Sequence, residues 1–153
     1  MLKDQYALVR DSREQVFAFF GTMQPNDLQK PVTFDGKSIA RLYVHIANTY
    51  QGWLVKFAKG EDPVDFDYKA HGSVETLTEL FGKVDDIVAH FLTAAKTQKG
   101  DLYRNLDISS KLALTPVQLF THVVTHEFHH KGQVLMLARQ LGYAPPDTDV
   151  IRF

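Results

Sequence analysis

The sequence contains no cysteine. Disulfides, thiolate-ligated zinc and a cysteine nucleophile are therefore excluded, and any sulfur chemistry must use sulfur brought in from outside. The absence fits a reducing compartment without requiring one. Long apolar runs are missing as well: nothing approaches the roughly 18 consecutive apolar residues of a membrane-spanning helix. The opening Met1-Leu2-Lys3-Asp4-Gln5-Tyr6 has no apolar run behind its basic residue, which argues against a secretory signal and makes a cytoplasmic location the expectation. Neither sign of charge is in excess, with 17 Lys and Arg against 18 Asp and Glu. These charges are scattered, so the chain lacks the basic face that nucleic acid or a membrane surface requires. There is also no internal repeat and no sustained alternating pattern of the kind strands need.

What is present is helical periodicity. Leu2, Tyr6, Val9, Val16, Phe17 and Phe20 predict a first helix over about residues 2–23, ended by Gly21 and Pro25. Residues 24–37, with two prolines and an Asp-Gly pair, form a connection. Ser38 is the expected N-cap of a second helix closed at Lys59-Gly60, with Ile39, Leu42, Tyr43, Ile46, Tyr50, Trp53 and Phe57 as its apolar stripe. Ser73 caps a third pattern running through Val74, Leu77, Phe81, Val84, Val88 and Phe91 to Gly100. Residues 101–114 leave room for a short extended pair. Thr115, Pro116 and Gln118 form a capping box for a fourth helix reaching about Leu141, where Gly142 ends it. The tail is an extended strap whose Ile151 and Phe153 need an apolar resting place. Four amphipathic helices in 153 residues predict an all-α fold, a four-helix bundle with residues 1–153 as a single domain. The connections exceed the two to eight residues of simple bundles, so some are expected to cross it.

The chemistry gathers on the fourth helix. Leu119, Val123, His126, His130, Val134, Leu137 and Leu141 fall in one stripe at about 100° per residue. Two imidazoles are thus written into positions that otherwise carry apolar side chains. Burying them costs free energy unless their nitrogens find partners, and a shared metal ion is the simplest partner for a pair four residues apart. His45, on the edge of the second helix's stripe beside the small residues Thr49 and Gly52, is the candidate third arm. His122, one turn before His126, competes for that role, and His129 is read as a group at the pocket edge. His71 and His90 read as surface residues. A second apolar face on the fourth helix, with Phe120, Val124, Phe128 and Leu135, asks for a second neighbour: another helix of the bundle or a second subunit, making a homodimer an expectation.

Leu42-Tyr43-Val44-His45, the stretch His126-Glu127-Phe128-His129-His130-Lys131-Gly132-Gln133 and the ending Ala138–Phe153 together resemble the DinB/YfiT-like superfamily, over the whole chain in length and helix order. The resemblance implies a four-helix bundle, often dimeric, whose three histidines hold Zn²⁺, Ni²⁺ or a similar ion. Matched by motif position, those ligands are His45, His126 and His130. Some members of the superfamily are thiol S-transferases using bacillithiol or mycothiol, or mycothiol-dependent isomerases. The family name refers to DNA-damage induction, which concerns expression and implies no DNA binding.

Three protein nitrogens leave open positions on an ion, the pattern of a catalytic rather than a structural site. Such an ion could activate water, giving a hydrolase, or hold a low-molecular-weight thiol as thiolate for transfer to an electrophilic substrate. The resemblance favours the thiol. Glu127 is the candidate general base, Tyr50 and Trp53 are candidate pocket walls, and Gln133 is a candidate donor. His126-Glu127-Phe128-His129-His130 also matches the His-Glu-x-x-His pattern of zinc peptidases. Those enzymes need a substrate-binding sheet edge and a downstream third ligand, and no histidine follows His130. A non-catalytic bundle stapled by metal is the remaining alternative. Imidazole ligands suit zinc, nickel, copper and iron alike, so spacing does not choose the ion.

Overall fold

The computed structural model describes residues 1–97, 103–104 and 112–152. Four helices carry the fold: α1 (Leu2–Phe20), α2 (Ile39–Tyr50), α3 (Val74–Thr97) and α4 (Pro116–Gln140). The local signals explain their starts. The Ser38 hydroxyl accepts the Arg41 N–H at 3.2 Å. The Ser73 hydroxyl accepts that of Thr76 at 3.3 Å. At α4 the Thr115 side chain accepts from Gln118 N while the Gln118 side chain reaches back to Thr115 N, and Pro116 occupies the first turn. Gly142 terminates α4 in the left-handed region, φ +93°, where a side chain would be strained.

Two features depart from simple helical reading. The connection after α1 contains a short 3₁₀ turn, Pro25–Leu28, and α2 continues without a break as a π-helix over Gln51–Phe57. Its wider turn carries Tyr50, Leu54 and Phe57 into the core and leaves Trp53 half-buried at the edge. The extended pair expected within 101–114 is present as β1 (Tyr103–Arg104) antiparallel to β2 (Ala113–Leu114). Gly100, expected to end α3, lies outside the described residues.

The packing follows from the long connections. α2 packs against α3 and α4, and α1 packs against the same two helices. Helices α1 and α2, consecutive in sequence, and likewise α3 and α4, therefore stand across the bundle from one another, and the connection between α1 and α2 crosses it. Phe17 and Phe20 of α1, Tyr43 of α2 and Phe81 of α3 meet at the centre with neighbouring ring centroids 5.0–6.0 Å apart, mostly edge to face. Such pairs add about 0.5–1.5 kcal/mol each beyond simple burial. The second apolar face of α4 meets α1: Phe120 is buried against Tyr6, with centroids 6.3 Å apart. Val124 and Phe128 on that face are half-buried.

The C-terminal strap is held differently from the sequence reading. Ile151 is 73% exposed and finds no apolar seat, while Phe153 lies outside the described residues. A buried polar clasp holds the strap instead. The Thr148 carbonyl accepts from the Ser12 hydroxyl at 2.7 Å and from the Lys131 ammonium at 2.8 Å, and Lys131 also donates to Ser12 Oγ at 3.0 Å. Backbone carbonyls are obligatory acceptors, so buried donors fix an extended segment as firmly as an apolar anchor would. Among the described residues no helix is long and apolar enough to cross a membrane.

Candidate metal centre

The α2–α4 seam brings the histidines together. The i, i+4 spacing of α4 puts His126 and His130 on the face towards α2, and His45 reaches across from α2. Ring centroids are 4.4 Å apart for His126–His130, 4.8 Å for His45–His130 and 5.1 Å for His45–His126. One nitrogen from each ring can be chosen so that all three lie within 4.8 Å of one another. The Nε2 atoms of His45 and His126 are 3.2 Å apart. That matches the edge of a tetrahedron with bonds of about 2.0–2.1 Å, which is about 3.3 Å. The donor set therefore fits a divalent transition ion: three imidazoles on two rigid helices, with no carboxylate among them.

Two neighbours orient the rings. Gln133 Oε1 lies 2.7 Å from His130 Nδ1, so Nδ1 carries the proton and the Nε2 lone pair is left for an ion. The Thr49 hydroxyl donates to the His45 carbonyl at 3.0 Å, and its oxygen lies 3.0 Å from His126 Nε2. Gln133 was a sequence candidate; Thr49 entered the sequence reading only as a small neighbour. Burial, reinforced by the surrounding imidazoles of His130 and His45, pushes the His126 pKa down to about 4. Burial lowers His130 too, against the opposing pull of its Gln133 bond. Both effects favour neutral rings, the form that ligates metal. The histidines are nevertheless less buried than a core stripe suggests. His126 and His130 are half-buried and His45 is exposed, so the cluster opens to solvent at the lip of the seam.

The other candidates are distributed around this cluster. His122 is exposed and packs edge-on against Trp53, centroids 4.6 Å apart. His129 is exposed and lies 3.1 Å, Nε2 to Nε2, from Gln133. Gln133 also borders a cleft of about 520 Å³ beside the cluster. Tyr50, expected at a pocket wall, is fully buried, and its hydroxyl donates to Glu127 Oε2 at 2.6 Å. Glu127, about one-quarter turn around the helix from His126, points into the bundle. Its two oxygens accept from Arg13 of α1, Nε to Oε1 at 2.7 Å and Nη2 to Oε2 at 3.2 Å. Arg13 in turn donates to Asp85 of α3 at 2.8 Å and lies over the Phe81 ring. This buried network ties α4 to α1 and α3 directly behind the histidines. Sequence reasoning missed Arg13, yet the signal was there. Arg13 sits between Val9 and Val16 at spacings of four and three, a polar residue inside an apolar stripe, as the histidines are on α4.

The chain belongs to the DinB family, whose family model matches residues 1–153. It is 25% identical over 141 residues to "Uncharacterized protein YizA" of Bacillus subtilis (strain 168), an overlap covering 91% of this chain and 87% of that protein. It is 29% identical over 124 residues to "Protein DinB" of the same organism, covering 73% of this chain and 69% of the relative.

Proposed function

We propose that this chain is a metal-dependent enzyme that holds a divalent ion, Zn²⁺ or Ni²⁺, on His45, His126 and His130 and transfers a low-molecular-weight thiol to an electrophilic small molecule. The observation that carries the reading is the convergence of three ring nitrogens from two helices at a solvent-open lip, within 4.8 Å of one another. An ion held there supplies a Lewis acid that keeps a bound thiol deprotonated near neutral pH. The chain's own residues do the rest. Gln133 fixes the His130 tautomer, Thr49 borders the His126 nitrogen, and the Arg13–Glu127 pair sets the rotation of α4 about its axis. Because the chain has no cysteine, the sulfur nucleophile comes from a co-substrate. Exposure of His45 leaves that co-substrate a path to the cluster. Glu127, with both oxygens engaged by Arg13 and Tyr50, serves this reading as a positioning residue.

The test has two readouts. Protein purified without a nickel column should carry one ion per chain by mass spectrometry. His45→Ala, His126→Ala and His130→Ala should lose it, while His122→Ala and His129→Ala should keep it. The loaded protein is then offered a panel of small thiols with monochlorobimane. Turnover no faster than His126→Ala with every thiol would remove the transferase reading, and metal retained by all three alanine variants would remove the site.

A further inference from the structure

The cleft next to the histidines has a chemistry of its own. One wall is α4, with Gln133, Met136, Leu137 and Gln140; the other is Leu42 of α2 and Lys37. Its volume of about 520 Å³ lies within the range of small-molecule sites. Three of these side chains are aliphatic or thioether, two are amides and one is an ammonium. Among the described residues that line it there is no carboxylate. Gln133 joins the cleft to the cluster, because the same side chain lines the one and bonds His130 of the other.

Lys37 is built into this position. The turn before α2 closes through Val32 N to the Lys37 carbonyl at 2.9 Å and Gly36 N to the Thr33 carbonyl at 2.9 Å. Lys37 N donates to Thr33 Oγ1 at 2.9 Å. Gly36 makes the turn with φ +72°, a conformation side chains resist. The Lys37 ammonium pairs with Asp35 at 2.9 Å on the same turn, but the two side chains are 48% and 56% exposed. An exposed pair of this kind contributes only about 0–1 kcal/mol, so a ligand carboxylate that also gains apolar contacts can compete with Asp35 for the ammonium.

We infer that this cleft seats a small molecule bearing a carboxylate on an apolar body, with the carboxylate on Lys37 and the body against Leu42, Met136 and Leu137. The assignment rests on the transferase reading only for its purpose: it names the class of molecule delivered to the histidine cluster. A carboxylate of this kind belongs either to the thiol or to the electrophilic acceptor.

Calorimetric titration of the protein as purified with 4-phenylbutyrate and with 4-phenylbutanol isolates the carboxylate. The acid should bind about tenfold or more tightly than the alcohol, and Lys37→Gln should abolish the difference with metal content unchanged. Equal binding of acid and alcohol, or a preference that survives Lys37→Gln, overturns the assignment. So does a preference lost when metal is removed with a chelator, because the carboxylate would then be ligating the ion. Kinetics separate the two sources. If the thiol carries the carboxylate, Lys37→Gln raises KM for 3-mercaptopropionate and not for 2-mercaptoethanol; if the acceptor carries it, the increase appears only with carboxylated acceptors. Absence of turnover with every pair, alongside intact Lys37-dependent binding, defeats the transfer reaction and leaves the cleft assignment standing.

Discussion

Replacing Glu127 with glutamine tests whether the buried network behind the histidines is structural. The side chains of Glu127 and Arg13 are each 5% exposed, and the pair makes two hydrogen bonds, of 2.7 and 3.2 Å. Removing one member of a buried pair typically costs about 3–5 kcal/mol, because the remaining charge is stranded. Here Arg13 keeps Asp85 at 2.8 Å, and that carboxylate is only 24% exposed. The loss for Glu127→Gln should therefore be smaller, about 2–3 kcal/mol, a large part of the 5–15 kcal/mol of a typical domain. Arg13→Met leaves Glu127 with Tyr50 alone and should cost the full 3–5 kcal/mol or so. In urea unfolding followed by circular dichroism, Glu127→Gln should lower the midpoint by about 1–1.5 M for a denaturant slope near 2 kcal/mol/M. The double variant Arg13→Met/Glu127→Leu should be more stable, by about 2 kcal/mol, than the summed losses of Arg13→Met and Glu127→Leu measured singly would make it. A general base would add a second effect: Glu127→Gln would abolish turnover in metal-loaded protein that is still folded. A midpoint within error of wild type, or strictly additive losses, would refute the positioning role.

Two further outcomes follow from the same geometry. His126 titrates near 6.5 in an unfolded chain, while burial and neighbouring imidazoles hold it down to about 4 in the folded one. The unfolded state therefore binds the extra proton first, and the metal-free protein should lose stability as pH falls from about 6.5 towards 4, levelling off below that as the native ring protonates too. Measured in urea, the stability of wild type relative to His126→Leu should fall as pH drops through this window; a difference that stays constant with pH would contradict the assignment. At the strap, Ser12→Ala removes one buried donor to the Thr148 carbonyl and one acceptor for Lys131, at a cost of about 1–3 kcal/mol. Limited proteolysis within residues 144–152 should accelerate in this variant, and an unchanged cleavage rate there would show that the clasp does not hold the strap.

The helices were legible because their determinants are local. Ser38, Ser73 and the Thr115–Gln118 box act within three residues of themselves, and Gly142 acts at its own φ. The His126–His130 pair was legible for the same reason, since helical geometry alone puts positions four apart on one face. The strap's anchorage was misread at Ile151, which is exposed, because an apolar side chain looked like the natural anchor. Hydrophobicity is visible in a sequence, whereas a carbonyl's acceptor capacity is identical at every residue and gives no signal. Glu127 illustrates the other difficulty. Its neighbourhood in sequence is histidine, but its neighbourhood in space is Arg13, 114 residues away.

The amino-acid order by itself determined four amphipathic helices, their caps, the absence of any internal sulfur nucleophile and a pair of imidazoles on one face of α4. Tertiary structure decided that α2 lies against α4, that Thr49 and Gln133 orient the rings, that Arg13 takes both oxygens of Glu127, and that Lys37 and Leu42 close a cleft beside the cluster. The division has one cause. Backbone periodicity and capping operate over one or two helical turns, and any chain with these residues in this order expresses them. Which faces meet depends on the packing of Phe17, Phe20, Tyr43 and Phe81 with the rest of the core, a balance struck by the whole core at once.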